Sequence, residues 1–220
     1  MKAPVEVAPP GFDGFGEYAV EFYDGLLADN SKAYWTDNRA TYDGDVRAPM
    51  VALLAALEPE FGAGKVFRPY RDVRFSADKT PYKTHCGGHA PGGYVQVGPD
   101  GLMAAGGYYV LARDQIARYR AAVDDDRRGS DLQRRIALVE GSGMVVLGDV
   151  MKTRPRGVDP DHPRIDLLRH RSIYAAREWP PDDVLHERGC LDRVVGAWRA
   201  VRPLVEWLDD HVGPSDLPRR

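Results

Sequence analysis

Apolar residues in the first quarter of the chain recur at the spacing of a helix with one buried face. Residues 15–27 follow this spacing, and a second helix is predicted after Ser31, whose side chain suits a helix N-cap. A third helix is predicted over about residues 48–57, ended by Pro59 and Gly62. The chain therefore begins with helices.

The pattern changes to alternation over residues 93–110, where a Pro99-Asp100-Gly101 turn predicts a β-hairpin. Helical spacing returns over residues 112–123, and Ser130 with Gln133 forms a capping box for a helix over 131–140. The remaining predicted elements are strands at 144–147 and 173–179, a short helix after Pro181, and a helix at 191–211 kinked by Pro203. This order predicts an α+β fold, with an antiparallel sheet and helices packed mainly on one face.

Length and composition indicate one globular domain, since the chain has 220 residues, of which 43% are hydrophobic and 29% charged. We expect a flexible N-terminal arm at 1–12, a single domain at 13–213 and a C-terminal tail at 214–220. The sequence has no apolar run of the kind that spans a membrane or directs secretion. Two cysteines are too few for a disulfide framework, so we expect a cytoplasmic protein without a membrane partner.

The net charge of −3 hides a strong local asymmetry. Residues 65–83 carry a net charge of +4 and residues 152–171 carry +3, which leaves −10 on the rest of the chain. Prolines restrict the backbone in both basic segments. Arginine in a stiff loop suits phosphate or carboxylate, because its planar guanidinium can donate two parallel hydrogen bonds.

We therefore expect a pocket for an anionic, phosphate-bearing small molecule, formed where the two basic segments converge. Its candidate anion-binding residues are Arg68, Arg71, Arg74, Lys79, Lys83, Arg154 and Arg156. Two alternatives stay open. The same surface could serve a non-catalytic module that binds a protein or a nucleic acid, although the overall negative charge argues against nucleic acid. The arginines could also be purely structural, paired with neighbouring acids.

The main candidate for acid–base catalysis is His162, whose charge can change near neutral pH, and Asp72 and Asp78 are rival bases. The alternative for Asp72 is an ion pair with Arg71 or Arg74, and the alternative for Asp78 is a cap on the turn that follows it. The reaction, and whether there is one, stays open.

His85, Cys86 and His89 form the local cluster that most resembles a set of metal ligands. No metal site and no cofactor are predicted, because a structural zinc takes four ligands and the one other cysteine is Cys190. His162 with Asp159 or Asp161 could complete a set if the two basic segments meet. The alternative is a glycine-rich loop whose histidines are solvated or hydrogen-bonded.

The segment from Arg68 to Lys83, RPYRDVRFSADKTPYK, resembles the signature of a bacterial and fungal family catalogued as a domain of unknown function, number 2461. Motifs similar to the family's follow in the same order: Gly92-Gly93-Tyr94, Pro155-Arg156-Gly157, Asp161-His162-Pro163 and Asp166-Leu167-Leu168. The resemblance covers about residues 14–210. Asp29-Asn30-Ser31 stands where the family commonly has an asparagine pair. The resemblance implies no activity, ligand or catalytic residue.

Overall fold

The computed structural model describes residues 11–74 and 78–218. Most of the predicted N-terminal arm (1–10), the end of the predicted tail (219–220) and residues 75–77 of the family-like segment lie outside the described residues. Phe12, the last residue of the predicted arm, is buried.

The early helices are present, with bounds that differ from the predicted ones. They are α1 (Ala19–Ala28), α2 (Lys32–Asp37), α3 (Arg39–Thr41), a π-helical segment (Tyr42–Arg47) and α4 (Ala48–Phe61). The cap on α2 is confirmed, because the Ser31 hydroxyl accepts a hydrogen bond from the Tyr34 amide at 3.1 Å. The predicted stop at Pro59 is wrong. Pro59 lies in the last turn of α4, and the helix ends at Gly62, whose φ is 82°.

Within the described residues, six strands form one sheet in the order β1-β2-β3-β4-β6-β5. The strands are β1 (Lys65–Val66), β2 (Cys86–Ala90), β3 (Gly93–Gly98), β4 (Gly101–Tyr108), β5 (Val145–Leu147) and β6 (Ile173–Trp179). The pairs β1–β2, β2–β3 and β5–β6 are antiparallel. The α+β class and the antiparallel sheet are confirmed.

Strand β2 replaces the glycine-rich loop considered for residues 86–90, and its glycines allow close packing on both faces. A Cβ on Gly88 would lie 2.8 Å from Cδ1 of Leu54 in α4. A Cβ on Gly87 would collide with the Tyr94 hydroxyl. Glycine therefore weakens the sequence signal for a strand here while it permits the observed packing.

The later helices are α5 (Arg113–Asp124), α6 (Asp126–Gly141), α7 (Ile165–Leu168), a 3-10 helix (Asp183–His186) and α8 (Gly189–His211). The capping box predicted at Ser130 is wrong, since α6 begins at Asp126, four residues before Ser130. The Asp125 carboxylate caps it by accepting from the Arg128 amide at 2.9 Å. Among the described residues, no helix has the length and apolar character needed to cross a membrane.

The described residues divide into two compact units. The first unit contains the chain up to Ala104 together with Glu178–Val195, and the second contains Ala105–Arg177 together with the chain from Gly196. The predicted domain limits at residues 13 and 213 stay predictions.

In the first unit, the helices pack on one face of the sheet. Val95 and Val97 of β3 are fully buried, and Val95 pairs with Gly88, which lies against α4. Side chains on the opposite face alternate with these, and His89 of β2 is exposed there. The prediction that the helices pack mainly on one face of the sheet is therefore confirmed for this unit.

Candidate functional site

Residues 65–71 of the first basic segment run antiparallel to residues 81–90 in a two-stranded ribbon, so the segment, which ends at Lys83, contributes to both strands. The pairing begins with β1 and β2 and continues to a bridge between Tyr70 and Tyr82. The backbone hydrogen bonds on either side of this bridge are 2.8 Å long. The ribbon thus carries the chain away from the sheet and back.

Aromatic side chains fix the ribbon against the early helices. The Tyr82 ring stacks on Trp35 of α2, with centroids 4.4 Å apart and planes 8° from parallel. Tyr70 lies beside both rings, at 6.0 Å from Trp35 and 5.5 Å from Tyr82. Such contacts add to the apolar burial of the rings, so the ribbon is held against α2 next to its tip.

The tip of the ribbon is closed by a cluster of Arg71, Asp78 and Thr80. One guanidinium nitrogen of Arg71 donates to the Asp78 carboxylate and also to the Thr80 hydroxyl, the latter at 2.6 Å. The same carboxylate accepts from the Thr80 amide at 2.9 Å and from its hydroxyl at 2.8 Å. The Thr80 amide and hydroxyl, followed by the Arg71 guanidinium, lower the pKa of Asp78 to about 2.

Arg74 and Lys79 are also held within the tip. Arg74 donates to both oxygens of Asp72, at 2.9 and 2.7 Å, and the Lys79 ammonium donates to the Val73 carbonyl at 3.0 Å. These hydrogen bonds from Arg74 lower the pKa of Asp72 to about 2. A carboxylate with such a low pKa is a weak base. Its pairing with Arg74 is the ion pair that was considered as the alternative to a catalytic role for Asp72.

A basic–aromatic face lies on the exposed side of the sheet at the root of the ribbon. We give this name to Lys65, Phe67, Lys83, His89 and Tyr94. The strand register places Lys65 opposite His89, and His89 opposite Tyr94. Phe67 stacks on His89 with centroids 5.3 Å apart and planes 21° from parallel. The Lys83 ammonium lies 5.3 Å from the centre of the Phe67 ring.

The side chains of this face are accessible to solvent. Phe67 is 38% exposed, which is high for a phenylalanine, and Lys65 and His89 are exposed. Sequence reasoning had included Lys83 among the candidate residues but missed Phe67, His89 and Tyr94 as its neighbours. Alternation along β3 is the one sequence signal that could have placed Tyr94 on an outer face.

A cleft of about 340 Å³ lies beside the β3–β4 turn in the same unit. Its polar lining comes from Thr84, His85, Gln96, Asp100 and Glu178, and none of the described residues that line it is a lysine or an arginine. Burial, followed by the charge of Lys83, lowers the pKa of His85. The His85 imidazole is therefore neutral at neutral pH, and the cleft offers hydrogen-bonding groups without positive charge.

The three metal candidates do not converge. Cys86 begins β2 and is buried, whereas His89 is exposed three residues further along the strand. His85 and His89 are roughly 13 Å apart along an extended chain, too far to share one ion. Among the residues that the structure describes, no three His, Cys, Asp or Glu side chains form a group that could hold a metal ion. Burial raises the pKa of the Cys86 thiol to about 11.

The second basic segment lies in the second unit, and its side chains serve the local backbone. Arg154 donates to the Val158 carbonyl at 2.5 Å, while Arg156 is exposed. The His162 ring accepts from the Arg164 amide at Nδ1, at 3.0 Å, and its Nε2 lies 3.2 Å from an Asp124 carboxylate oxygen. Both nitrogens of this acid–base candidate are thus engaged. Convergence of the two basic segments stays a prediction.

Arg164 is a buried arginine in the second segment that sequence reasoning did not single out. Only 5% of its side chain is exposed. It donates to the carbonyls of Val123 at 2.7 Å and Asp124 at 3.0 Å, and to the Asp126 carboxylate at 2.7 Å. Arg164 therefore joins its loop to the junction between α5 and α6, which is a structural role.

Comparison with known proteins gives a family and no characterised relative. Neither the curated proteins nor the solved structures contain a match to the chain. The family model of the conserved hypothetical proteins called DUF2461 matches residues 18–207, which is most of the chain. The chain therefore belongs to the DUF2461 family of conserved hypothetical proteins.

Proposed function

We propose that the chain binds single-stranded nucleic acid, DNA or RNA, through the basic–aromatic face. The observation that carries this proposal is the stack of Phe67 on His89 with the Lys83 ammonium against the same phenylalanine. A planar ring presented beside a cation matches a nucleotide chain, in which bases alternate with phosphates.

The charge of the face supports a phosphate-bearing partner. Lys65 and Lys83 lie on the two strands of the ribbon, and Arg68 is exposed between them along the chain. The net charge of −3 argues against nucleic acid only if it is spread evenly, and residues 65–83 alone carry +4. Local positive potential is what attracts phosphate, so we set aside the earlier expectation drawn from net charge.

The rings of the face favour single strands over duplexes. In a single strand the bases can separate and stack on aromatic side chains, whereas in a duplex they are already stacked. Phe67 directly follows β1, while His89 and Tyr94 lie on the adjacent strands β2 and β3. The ring centroids of Tyr94 and Phe67 are 6.2 Å apart. An exposed sheet surface with neighbouring rings is a platform that several single-strand-binding proteins use.

A polymer fits this surface better than the small phosphate compound expected from the sequence. Small ligands bind in concave sites that bury most of their surface. The cleft near the β3–β4 turn has no lysine or arginine in its lining, while the basic residues lie on an exposed face. An extended chain can gain affinity from several weak contacts on such a face.

Not every basic residue of the ribbon serves this function. Arg71, Arg74 and Lys79 are bonded within the tip, which supports a structural role for them. The anion-binding role is therefore assigned to Lys65, Arg68 and Lys83.

The test is fluorescence anisotropy with labelled single-stranded oligonucleotides of about 12 nucleotides, titrated between about 50 and 200 mM salt. Phe67→Ala should weaken binding by about fivefold or more, because base stacking contributes about 1–3 kcal/mol. Lys83→Ala should weaken binding to all sequences and reduce the dependence on salt.

Matched controls are Tyr18→Ala and Lys32→Ala. Tyr18 is an exposed aromatic residue directly before α1, and Lys32 is an exposed lysine at the start of α2. Both should leave binding unchanged. The proposal fails if no oligonucleotide binds, or if Phe67→Ala binds as tightly as the unaltered protein. It also fails if pyrophosphate or a mononucleotide binds as tightly as the oligonucleotide, since the ligand would then be a small molecule.

We also propose a cytoplasmic location. Cys86 and Cys190 are both free and buried, and free thiols are typical of a reducing compartment.

A further inference from the structure

We propose that the cleft beside the β3–β4 turn receives one base of the bound strand and selects bases that carry an amino group. This inference rests on the proposed nucleic-acid binding and names the specificity of the same surface. It assigns the phosphates to the basic–aromatic face and one base to the cleft.

The cleft is continuous with the basic–aromatic face. The Tyr94 hydroxyl, which belongs to the face, donates to the Gln96 side chain at 2.8 Å, and Gln96 lines the cleft. His85 also lines the cleft and follows Lys83 by two residues, close enough for the lysine charge to lower its pKa. The face and the cleft are therefore neighbours, linked through the contact of Tyr94 with Gln96.

The size and polarity of the cleft suit a base rather than a phosphate. Its volume of about 340 Å³ lies near the lower end of small-molecule sites. Leu27, which is exposed, and Met103 contribute apolar surface for a planar ring. The absence of lysine and arginine from its lining leaves nothing there to neutralise a phosphate.

The carboxyl groups of the cleft supply the selectivity. Asp100 and Glu178 are hydrogen-bond acceptors when ionised, and they can accept from the exocyclic amino groups of adenine, cytosine or guanine. Uracil and thymine carry a carbonyl oxygen at the corresponding position, so a carboxylate there meets an acceptor, and their one donor on this edge, the ring N3–H, lies between two carbonyl oxygens. The expected order is therefore amino-bearing bases ahead of uracil and thymine.

The test compares the affinities of oligoadenylate, oligocytidylate and oligouridylate, measured by anisotropy on the full chain. The unaltered protein should bind the first two at least about fivefold more tightly than oligouridylate, as one good base contact provides. Glu178→Gln should reduce this ratio towards one, because an amide can donate to the uracil carbonyl. Asp100→Asn is the second variant and should act in the same direction.

Glu17→Gln is the matched control, since Glu17 is exposed and does not line the cleft. Equal affinity for all three oligonucleotides, or a preference that neither Glu178→Gln nor Asp100→Asn changes, overturns the base-selection inference while nucleic-acid binding stands. Failure of all three oligonucleotides to bind overturns both.

Discussion

Asn30 binds both backbone groups of Tyr82, although 52 residues separate them in the sequence. Its side-chain amide donates to the Tyr82 carbonyl at 3.1 Å, and its side-chain oxygen accepts from the Tyr82 amide at 3.0 Å. The side chain thus imitates a neighbouring strand at the point where Tyr82 stacks on Trp35. The link between α1 and α2 is fastened to the ribbon in this way.

Asn30→Ala should lower the free energy of unfolding by about 1–3 kcal/mol, because it leaves a partly buried backbone donor and acceptor without partners. Urea denaturation followed by circular dichroism measures the change. Asn30→Asp keeps the acceptor and should cost less than alanine. Asp29→Ala, at the neighbouring exposed position, should change little, and a loss equal to that of Asn30→Ala would contradict the assignment.

Arg164→Ala should destabilise the chain by about 2–4 kcal/mol, since the carbonyls of Val123 and Asp124 lose a charged donor at a buried position. Arg156→Ala removes an exposed arginine from the same segment and should change stability by less than about 0.5 kcal/mol. Thermal and urea unfolding of the two variants make the comparison. Equal effects would refute a structural role for Arg164.

Both cysteines should resist thiol reagents in the folded chain. Burial raises the pKa of Cys86 to about 11 and that of Cys190 to about 12. At pH 8 roughly one Cys86 thiol in a thousand would be ionised, and the thiolate is the reactive form. A colorimetric thiol assay should therefore count both thiols only after denaturation. Rapid labelling of the native protein would contradict the observed burial.

The tip of the ribbon should loosen in acid. Hydrogen bonds lower the pKa of Asp72 and Asp78 from an ordinary 3.8 to about 2. Because these folded-state values are depressed, the stabilisation is fully present above about pH 4 and is lost as the pH falls towards 2. The protection of the Thr80 amide, which donates to Asp78, should therefore fall across that interval when its exchange rate is divided by the intrinsic rate at each pH.

Asp78→Asn should remove most of this acid dependence at Thr80, and its exchange should already be faster at neutral pH. Asp13→Asn changes an exposed carboxyl outside the tip and should leave the profile as it is. A flat profile in the unaltered chain would show that these carboxylates do not hold the tip.

The spacing of apolar residues predicted those helices and strands in which buried side chains recur at one regular interval. The helix α8 is of this kind, since Val194, Trp198, Val201 and Leu208 are buried at helical spacing. Ends were predicted less well, because a cap depends on which polar group reaches the free amides. At α6 the Asp125 carboxylate takes that place ahead of Ser130.

The ribbon and the basic–aromatic face could not be predicted from local pattern. The ribbon lacks alternation, and its pairing joins residues far apart in the sequence, such as Tyr70 with Tyr82. Phe67 meets His89 only through the register of β1 on β2. The sequence showed the positive charge of the segment. It did not show that Arg71 would form an ion pair with Asp78 and that Arg74 would form one with Asp72.

The two glycines of β2 lie on opposite faces of the sheet, so a larger residue at each position would disturb a different face. An alanine at position 88 would press on Leu54 and disturb the helical layer, which is the side that holds the unit together. An alanine at position 87 would press on the Tyr94 hydroxyl and disturb the outer side. Methyl groups at these two neighbouring positions would thus perturb the helical layer and the basic–aromatic face separately.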